Sequence, residues 1–281
     1  MNLDFTIVTP SYNYGRFIGE CLASVAAQEG VSYEHLVYDA GSDDGTAEVV
    51  GRFEAVTFIQ ESDRGMSHAI NKGFRVAKGK WVMWLNADDR LKPGALKAVM
   101  SHGEGAQGAD VIYGGWDFVD GGGRVVREMT IFPFQKRMLC YLGCYLGSTA
   151  TFYRNESVLK QGHLLDEGFR YMMDGEYYNR LAALGMRFSY LHARLADFRL
   201  HGENLSMRNR DGGGGIADEL KRQKQYAETI AIRRFYGWRG VSSAPWIWFF
   251  DGLAFGYFQL KKFFLKRIYR FCRNQVKLQG E

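Results

Sequence analysis

Along the first 115 residues the apolar positions switch repeatedly between two periods. Short runs rich in β-branched and aromatic residues predict strands at Phe5 to Thr9, His35 to Asp39, Val56 to Ile59 and Trp81 to Leu85. Between the first two, Phe17, Cys21, Leu22, Val25 and Ala26 fall on one helical face, which predicts a helix over Arg16 to Glu29. Similar stretches predict helices over Thr46 to Phe53 and Met66 to Ala77. Strands and helices alternating in this way build βαβ units, hence an α/β fold with a single mostly parallel central sheet flanked by helices. A further strand at Val111 to Tyr113 leads to a hairpin at Gly121, Gly122 and Gly123, where glycines permit a sharp turn.

From Pro133 the pattern changes to an aromatic, glycine-rich stretch, followed by a strand over Ser148 to Tyr153, a helix over Asp174 to Leu184 and a strand over Arg187 to Leu191. The run Gly212 to Gly215, beside Arg210 and Asp211, cannot hold regular structure and marks a boundary. It divides a body of residues 1–210, itself split into halves 1–115 and 116–210, from a C-terminal region of residues 211–281. A chain of 281 residues suits one large domain with an appendage. Its 46% hydrophobic and 24% charged residues exclude a disordered chain.

The net charge of +5 matters less than where it sits. No acidic residue lies between Gly252 and Gly280, whereas Lys261, Lys262, Lys266, Arg267 and Arg270 are all basic. Leu260, Phe264, Ile268 and Phe271 cluster on the opposite side of a helical wheel, which predicts C-terminal amphipathic helices lying on an anionic membrane surface. Packing of this tail on the body, or on a second copy as a homo-oligomer, is the alternative. The aromatic run after Pro245 is shorter than the about 20 residues that span a bilayer. No nucleic-acid module accompanies the basic face, and nucleic acid is not an expected partner. Cys21, Cys140, Cys144 and Cys272 match no zinc spacing and are expected as free thiols, with Cys140 and Cys144 able to share a helix face. Without a signal-type apolar segment, the protein is expected in the cytoplasm, peripheral on the inner face of the cell membrane.

Open α/β sheets bind ligands at the carboxyl ends of their strands. There the chain carries TPSYN (9–13), DAGSDDGT (39–46), ESDRG (61–65) and NADD (86–89). Gathering Asp39, Asp63, Asp88 and Asp89 at one rim is unfavourable unless a cation compensates, and Mg2+ or Mn2+ with a nucleotide diphosphate would do so. Taken alone, Asp88 and Asp89 would equally suit an acidic turn before Pro93. No GxGxxG follows the first strand, and Gly73 to Lys80 fails as a P-loop because Trp81 stands where Ser or Thr is needed.

The ordered series TPSYN, DAGSDDGT, ESDRGMSHAINKG, WLNADD and MDGEYYNRLAALG, spread over residues 3 to 206, resembles family 2 of the glycosyltransferases, which have the GT-A fold. The resemblance implies an inverting, metal-dependent transferase. The donor would be a UDP, dTDP or GDP sugar, and the acceptor a glycan or lipid-linked hydroxyl of cell-surface polysaccharide or glycolipid synthesis. Residues 1–115 would then bind the nucleotide sugar and residues 116–210 the acceptor. Thr9, Pro10, Tyr12 and Asp39 would hold the nucleoside, and Asp63 the nucleotide, with Arg64 and Lys72 as phosphate partners. The family's usual Asp-x-Asp is replaced by Asn86-Ala87-Asp88, which leaves Asp88 as the direct metal ligand, helped by Asn86 or Asp89. Arg199, His201 and Ser206 would close over the diphosphate, with His201 touching metal or phosphate. Asp174 is the expected general base and Glu176 its alternative. A non-catalytic nucleotide-sugar binder or membrane scaffold with this fold is the competing possibility.

Overall fold

The computed structural model describes residues 3–129, 131–201 and 216–236, with isolated positions between 256 and 267. Ser206, the run Gly212 to Gly215, Ile268, Phe271 and Cys272 lie outside the described residues. The chain runs β1 (Phe5–Ser11), α1 (Gly15–Ala26), β2 (Tyr33–Asp39), α2 (Thr46–Val50), β3 (Val56–Gln60), α3 (Met66–Val76), β4 (Trp81–Trp84), β5 (Arg90–Leu91) and α4 (Ala95–Gly105). It continues through β6 (Val111–Val119), β7 (Val125–Glu128), α5 (Lys136–Leu142), β8 (Thr151–Arg154), α6 (Met173–Ala183), β9 (Phe188–Arg199) and α7 (Ile216–Tyr236).

The strands form one curled, mostly parallel sheet in the order β3-β2-β1-β4-β8-β6-β9-β5, with β7 paired to β6. β1, β2, β3 and β4 are parallel, and β6 and β9 restore parallel pairing beyond antiparallel β8. All seven residues of β1 and all four of β4 are buried, as expected of strands covered by helices on both faces. That double burial is why they read as unbroken apolar runs. Across the seam between the halves, Trp84 of β4 stacks on Tyr153 of β8 with ring centres 5.6 Å apart.

Several sequence expectations need correction. Ser148 to Ala150 form a tight 3-10 turn, so β8 begins only at Thr151. β9 does not stop near Leu191 but continues to Arg199, because it pairs along β6 from Val111↔Phe188 to Val119↔Arg199, with register shifts around Gly115 absorbing the mismatch. Cys140 and Cys144 share no helix face, since α5 ends at Leu142 and Gly143 takes a left-handed φ of 87°. Helices α4 and α5 and the two-residue β5 have no counterpart in the sequence expectations, whereas α7 lies in the C-terminal region of residues 211–281 that was expected to be helical. Tyr257, Leu260 and Phe264 of the tail are exposed. Among the described residues no helix is long and apolar enough to cross a membrane.

Helix α3 lies close on β1. A Cβ at Gly73 would stand 2.5 Å from Cγ1 of Val8, well inside van der Waals contact. Gly73→Ala is therefore expected to destabilise by about 1–3 kcal/mol despite the better helix propensity of alanine. The denaturant midpoint checks this, and an unchanged midpoint would mean that α3 shifts freely off the sheet.

Candidate active site

The carboxyl ends of β1 and β4 and the start of α6 enclose two adjoining cavities. The larger, about 440 Å³, is lined by Ser11, Tyr12, Ala40, Ser62, Asp63 and Gly65. The smaller, about 110 Å³, is lined by Asn86, Ala87, Asp88, Ser148, Met173 and Asp174. Pro10, Tyr14, Met66 and Arg170 belong to both and mark the junction.

At the larger cavity the loops after β1 and β2 brace each other. Asn13 sits at φ 59°, donates its N–H to Ser42 Oγ at 2.7 Å, and accepts the Asp43 N–H at 3.2 Å. Asp39, buried at the end of β2, accepts the N–H groups of Gly41 and Ser42 at 3.0 and 2.8 Å and the Ser42 hydroxyl at 2.6 Å. Its carboxylate thus caps its own loop and lines neither cavity. Thr9 also turns away, its hydroxyl 2.8 Å from His35 Nε2 in the interior, so only its backbone is near the rim. Burial holds the His35 imidazole in its neutral form. Pro10 lines both cavities, and Tyr12, 59% exposed, offers an open aromatic face.

Asp63 lines the larger cavity and caps the turn before α3 by accepting the Gly65 N–H at 2.7 Å. The two cations expected beside it are engaged elsewhere. Arg64 reaches out to Glu167 at 2.6 Å, and Lys72 donates to the Ser62 carbonyl at 2.8 Å with Glu61 at 3.0 Å. Neither lines either cavity.

The loop after β4 is held from behind. Arg199, at the end of β9, is fully buried. Its Nε donates to the Asp88 carbonyl at 2.9 Å, and its guanidinium also reaches the Gly121 carbonyl at 2.8 Å and Glu20 at 2.6 Å. Arg199, expected to close over the diphosphate, lines neither cavity and lies buried beneath the loop after β4. Asp89 is buried too, accepting the Arg199 N–H and the Asn86 amide, each at 3.0 Å. Burial, reinforced by the charge of Asp88, holds its carboxyl well above the usual range. Asp89 is therefore a strut buried beneath the loop and lines neither cavity.

Asp88 lines the smaller cavity, with His201 behind it. Asp88 Oδ2 stands 2.8 Å from His201 Nε2, and the imidazole packs on Phe17 with ring centres 4.8 Å apart. Asn86, having donated to Asp89, keeps a buried Oδ1 with no hydrogen-bond partner among the described residues. Such an orphan is costly unless a ligand supplies the missing contact. An octahedral Mg2+ or Mn2+ holds neighbouring ligands about 3 Å apart at metal–oxygen distances of about 2.1 Å. The carboxylate–imidazole pair fits two positions of that donor set, and the unsatisfied Asn86 amide oxygen has the chemistry for a third. Among the described residues no three His, Cys, Asp or Glu side chains form a metal cage, so the remaining ligands would come from phosphate and water.

Asp174 lines the smaller cavity at the first turn of α6 and is half-buried there. That burial pushes its carboxyl up to about 6, against the lowering effect of the Gly175 N–H it accepts at 2.7 Å. Glu176 is unsuited as an alternative. It is buried away from the cavity, paired with Arg180 at 2.8 Å, and accepts the Tyr236 hydroxyl at 2.8 Å. The sequence reading missed Arg170, Ser148 and Tyr14, which line the cavities from loops where no apolar period or motif singles them out.

Comparisons with known proteins agree with this architecture. A model of glycosyl transferase family 2 matches residues 6–167. The chain is similar to an uncharacterized glycosyltransferase of Nostoc sp., 26% identical over 258 residues that cover 84% of this chain and 78% of the relative. In fold it resembles S. aureus TarS 1-349 in complex with UDP-GlcNAc, with a TM-score of 0.62, 19% identity, and coverage of 82% of this chain and 72% of that one. It also resembles the mannosyltransferase PcManGT from Pyrobaculum calidifontis in complex with GDP-Man and Mn2+, with a TM-score of 0.58, 16% identity, and coverage of 92% and 74%.

Proposed function

The chain belongs to glycosyl transferase family 2, and from that premise we propose that it moves a sugar from a nucleoside diphosphate donor to an acceptor hydroxyl with inversion. The observation that carries this proposal is the meeting of Asn86, Asp88 and Asp174 around one small cavity, with His201 Nε2 2.8 Å behind Asp88 Oδ2 and the Asn86 Oδ1 unsatisfied among the described residues. The nucleoside occupies the larger cavity, against Tyr12, Pro10 and Asp63. The diphosphate crosses the junction, and the sugar faces Asp174.

Asp174 accepts the proton of the acceptor hydroxyl, whose oxygen forms the new bond to the anomeric carbon while the bond to the diphosphate oxygen breaks. The departing diphosphate keeps that bond's electron pair. Because attack comes from the side opposite the leaving group, the configuration inverts and no enzyme nucleophile is needed. Asp88 and His201, with Asn86 Oδ1, are the residues that would hold a divalent cation, which when bound neutralises charge on the diphosphate. The structure of PcManGT with GDP-Man and Mn2+ supports such a cation, and that of TarS with UDP-GlcNAc supports a sugar-nucleotide donor. The basic tail is proposed to rest on anionic lipid, where a lipid-linked acceptor would be found.

Incubation with UDP, dTDP and GDP sugars, with and without Mn2+, tests the proposal. One donor is expected to release nucleoside diphosphate, slowly without acceptor and faster with a membrane extract, the product being identified by mass spectrometry. Tight donor binding without turnover under any condition would instead favour the non-catalytic binder.

A further inference from the structure

Resting on the transferase reading, we propose that Arg170 grips the donor's diphosphate and that Glu228 of α7 is the positioning residue that holds Arg170 over the cleft. A diphosphate links nucleoside to sugar, so it must cross the junction between the two cavities. The cations expected there from sequence are committed elsewhere: Arg64 to Glu167, Lys72 to Ser62 and Glu61, and Arg199 beneath the loop after β4. Arg170 is an exposed arginine that lines both cavities. A guanidinium presents paired N–H donors that match two phosphate oxygens at once, which suits this position.

What fixes Arg170 comes from outside the segment matched by the family model. The Glu228 carboxylate accepts three successive backbone N–H groups, of Arg170 at 3.0 Å, Tyr171 at 2.9 Å and Met172 at 2.8 Å. These are the residues that lead into α6, so one side chain sets both the height of Arg170 and the entry of the helix that carries Asp174. The rest of α7 is anchored, with Tyr236 donating to Glu176 at 2.8 Å and Arg233 to the Tyr141 carbonyl at 2.9 Å. Glu228 therefore hangs from a fixed support and ties the C-terminal helix to the donor site.

The test is calorimetric titration of the full chain, in magnesium-containing buffer, with UDP, dTDP and GDP and with the corresponding monophosphates. Arg170→Ala, a change on an exposed side chain, is expected to weaken the preferred diphosphate about 10- to 100-fold and the monophosphate hardly at all. Glu228→Gln offers an amide N–H where only acceptors serve. It is expected to weaken the diphosphate selectively as well, and to add nothing in the double variant with Arg170→Ala. A merely structural Glu228 would lower both nucleotides together and add to Arg170→Ala. Unchanged diphosphate affinity in Arg170→Ala, equal losses for both nucleotides, or additive losses would overturn the inference and leave the transferase assignment standing. Failure of the unaltered chain to bind any nucleoside diphosphate would instead overturn that assignment, and this inference with it.

Discussion

Replacement of Asp174 by Asn is expected to lower turnover about 10²- to 10⁴-fold, the range over which a positioned general base contributes, while donor binding stays intact. The amide preserves the shape of the first turn of α6 but cannot take the acceptor's proton. In the unaltered protein the Asp174 carboxyl is pushed up to about 6, so the rate should rise with pH through that value and level off above it. The stability effect has the opposite sign. A carboxyl raised in the folded state binds its proton more tightly there than in the unfolded chain, so stability falls as pH climbs from its ordinary value, about 3.9, through about 6. Asp174→Asn removes that penalty, and its melting temperature at pH 8 should equal or exceed that of the unaltered protein. An inactive variant that melts earlier would point to damage of the fold, and an active one would remove Asp174 from the mechanism.

Asp88→Ala is the second large effect, with an expected loss of about 10²- to 10³-fold in turnover together with any dependence on Mn2+. The fold should survive, because Arg199 holds the loop through the Asp88 backbone carbonyl, which the substitution leaves in place. Loss of the carboxylate removes the contact with His201 at 2.8 Å and takes the one anionic donor from a set that otherwise holds His201 and the Asn86 oxygen. Turnover against Mn2+ concentration checks this. A variant that keeps both its rate and its metal response would sink the assignment of Asp88 to a cation.

The first four strands were legible because parallel strands, buried on both faces, spell themselves as continuous apolar runs with polar loops at their carboxyl ends. The rule that ligands gather there led from β1, β2 and β4 to the cleft. Charge was misread for a physical reason: a sequence shows the sign of a side chain but not its partner. Arg64, Lys72 and Arg199 all look like phosphate ligands until Glu167, Glu61 and the Asp88 carbonyl are placed beside them. Asp39 and Asp89 look like rim anions, yet one caps its loop and the other is buried. Of the helices without a sequence signal, α4 holds Gly103 and ends on Gly105, both poor helix formers. Arg170 had no signal at all, since a lone exposed arginine before a helix is ordinary.

The clamp beneath the loop after β4 also has a consequence for how the protein is made. Asp88 and Asp89 leave the ribosome well before their partners, since Asp88 pairs with His201, 113 residues later, and Glu20 with Arg199, 179 residues later. At the usual speed of synthesis, about 5–20 residues per second, two adjacent carboxylates wait on the order of 6–20 s for Arg199 and His201 to arrive. During that interval the early strands can pair with one another, but the loop has neither its buried guanidinium nor its imidazole. A nascent chain halted after β4 would present the early strands with a repelling acidic tip, and the loop gains its buried guanidinium only when Arg199 at the end of β9 arrives.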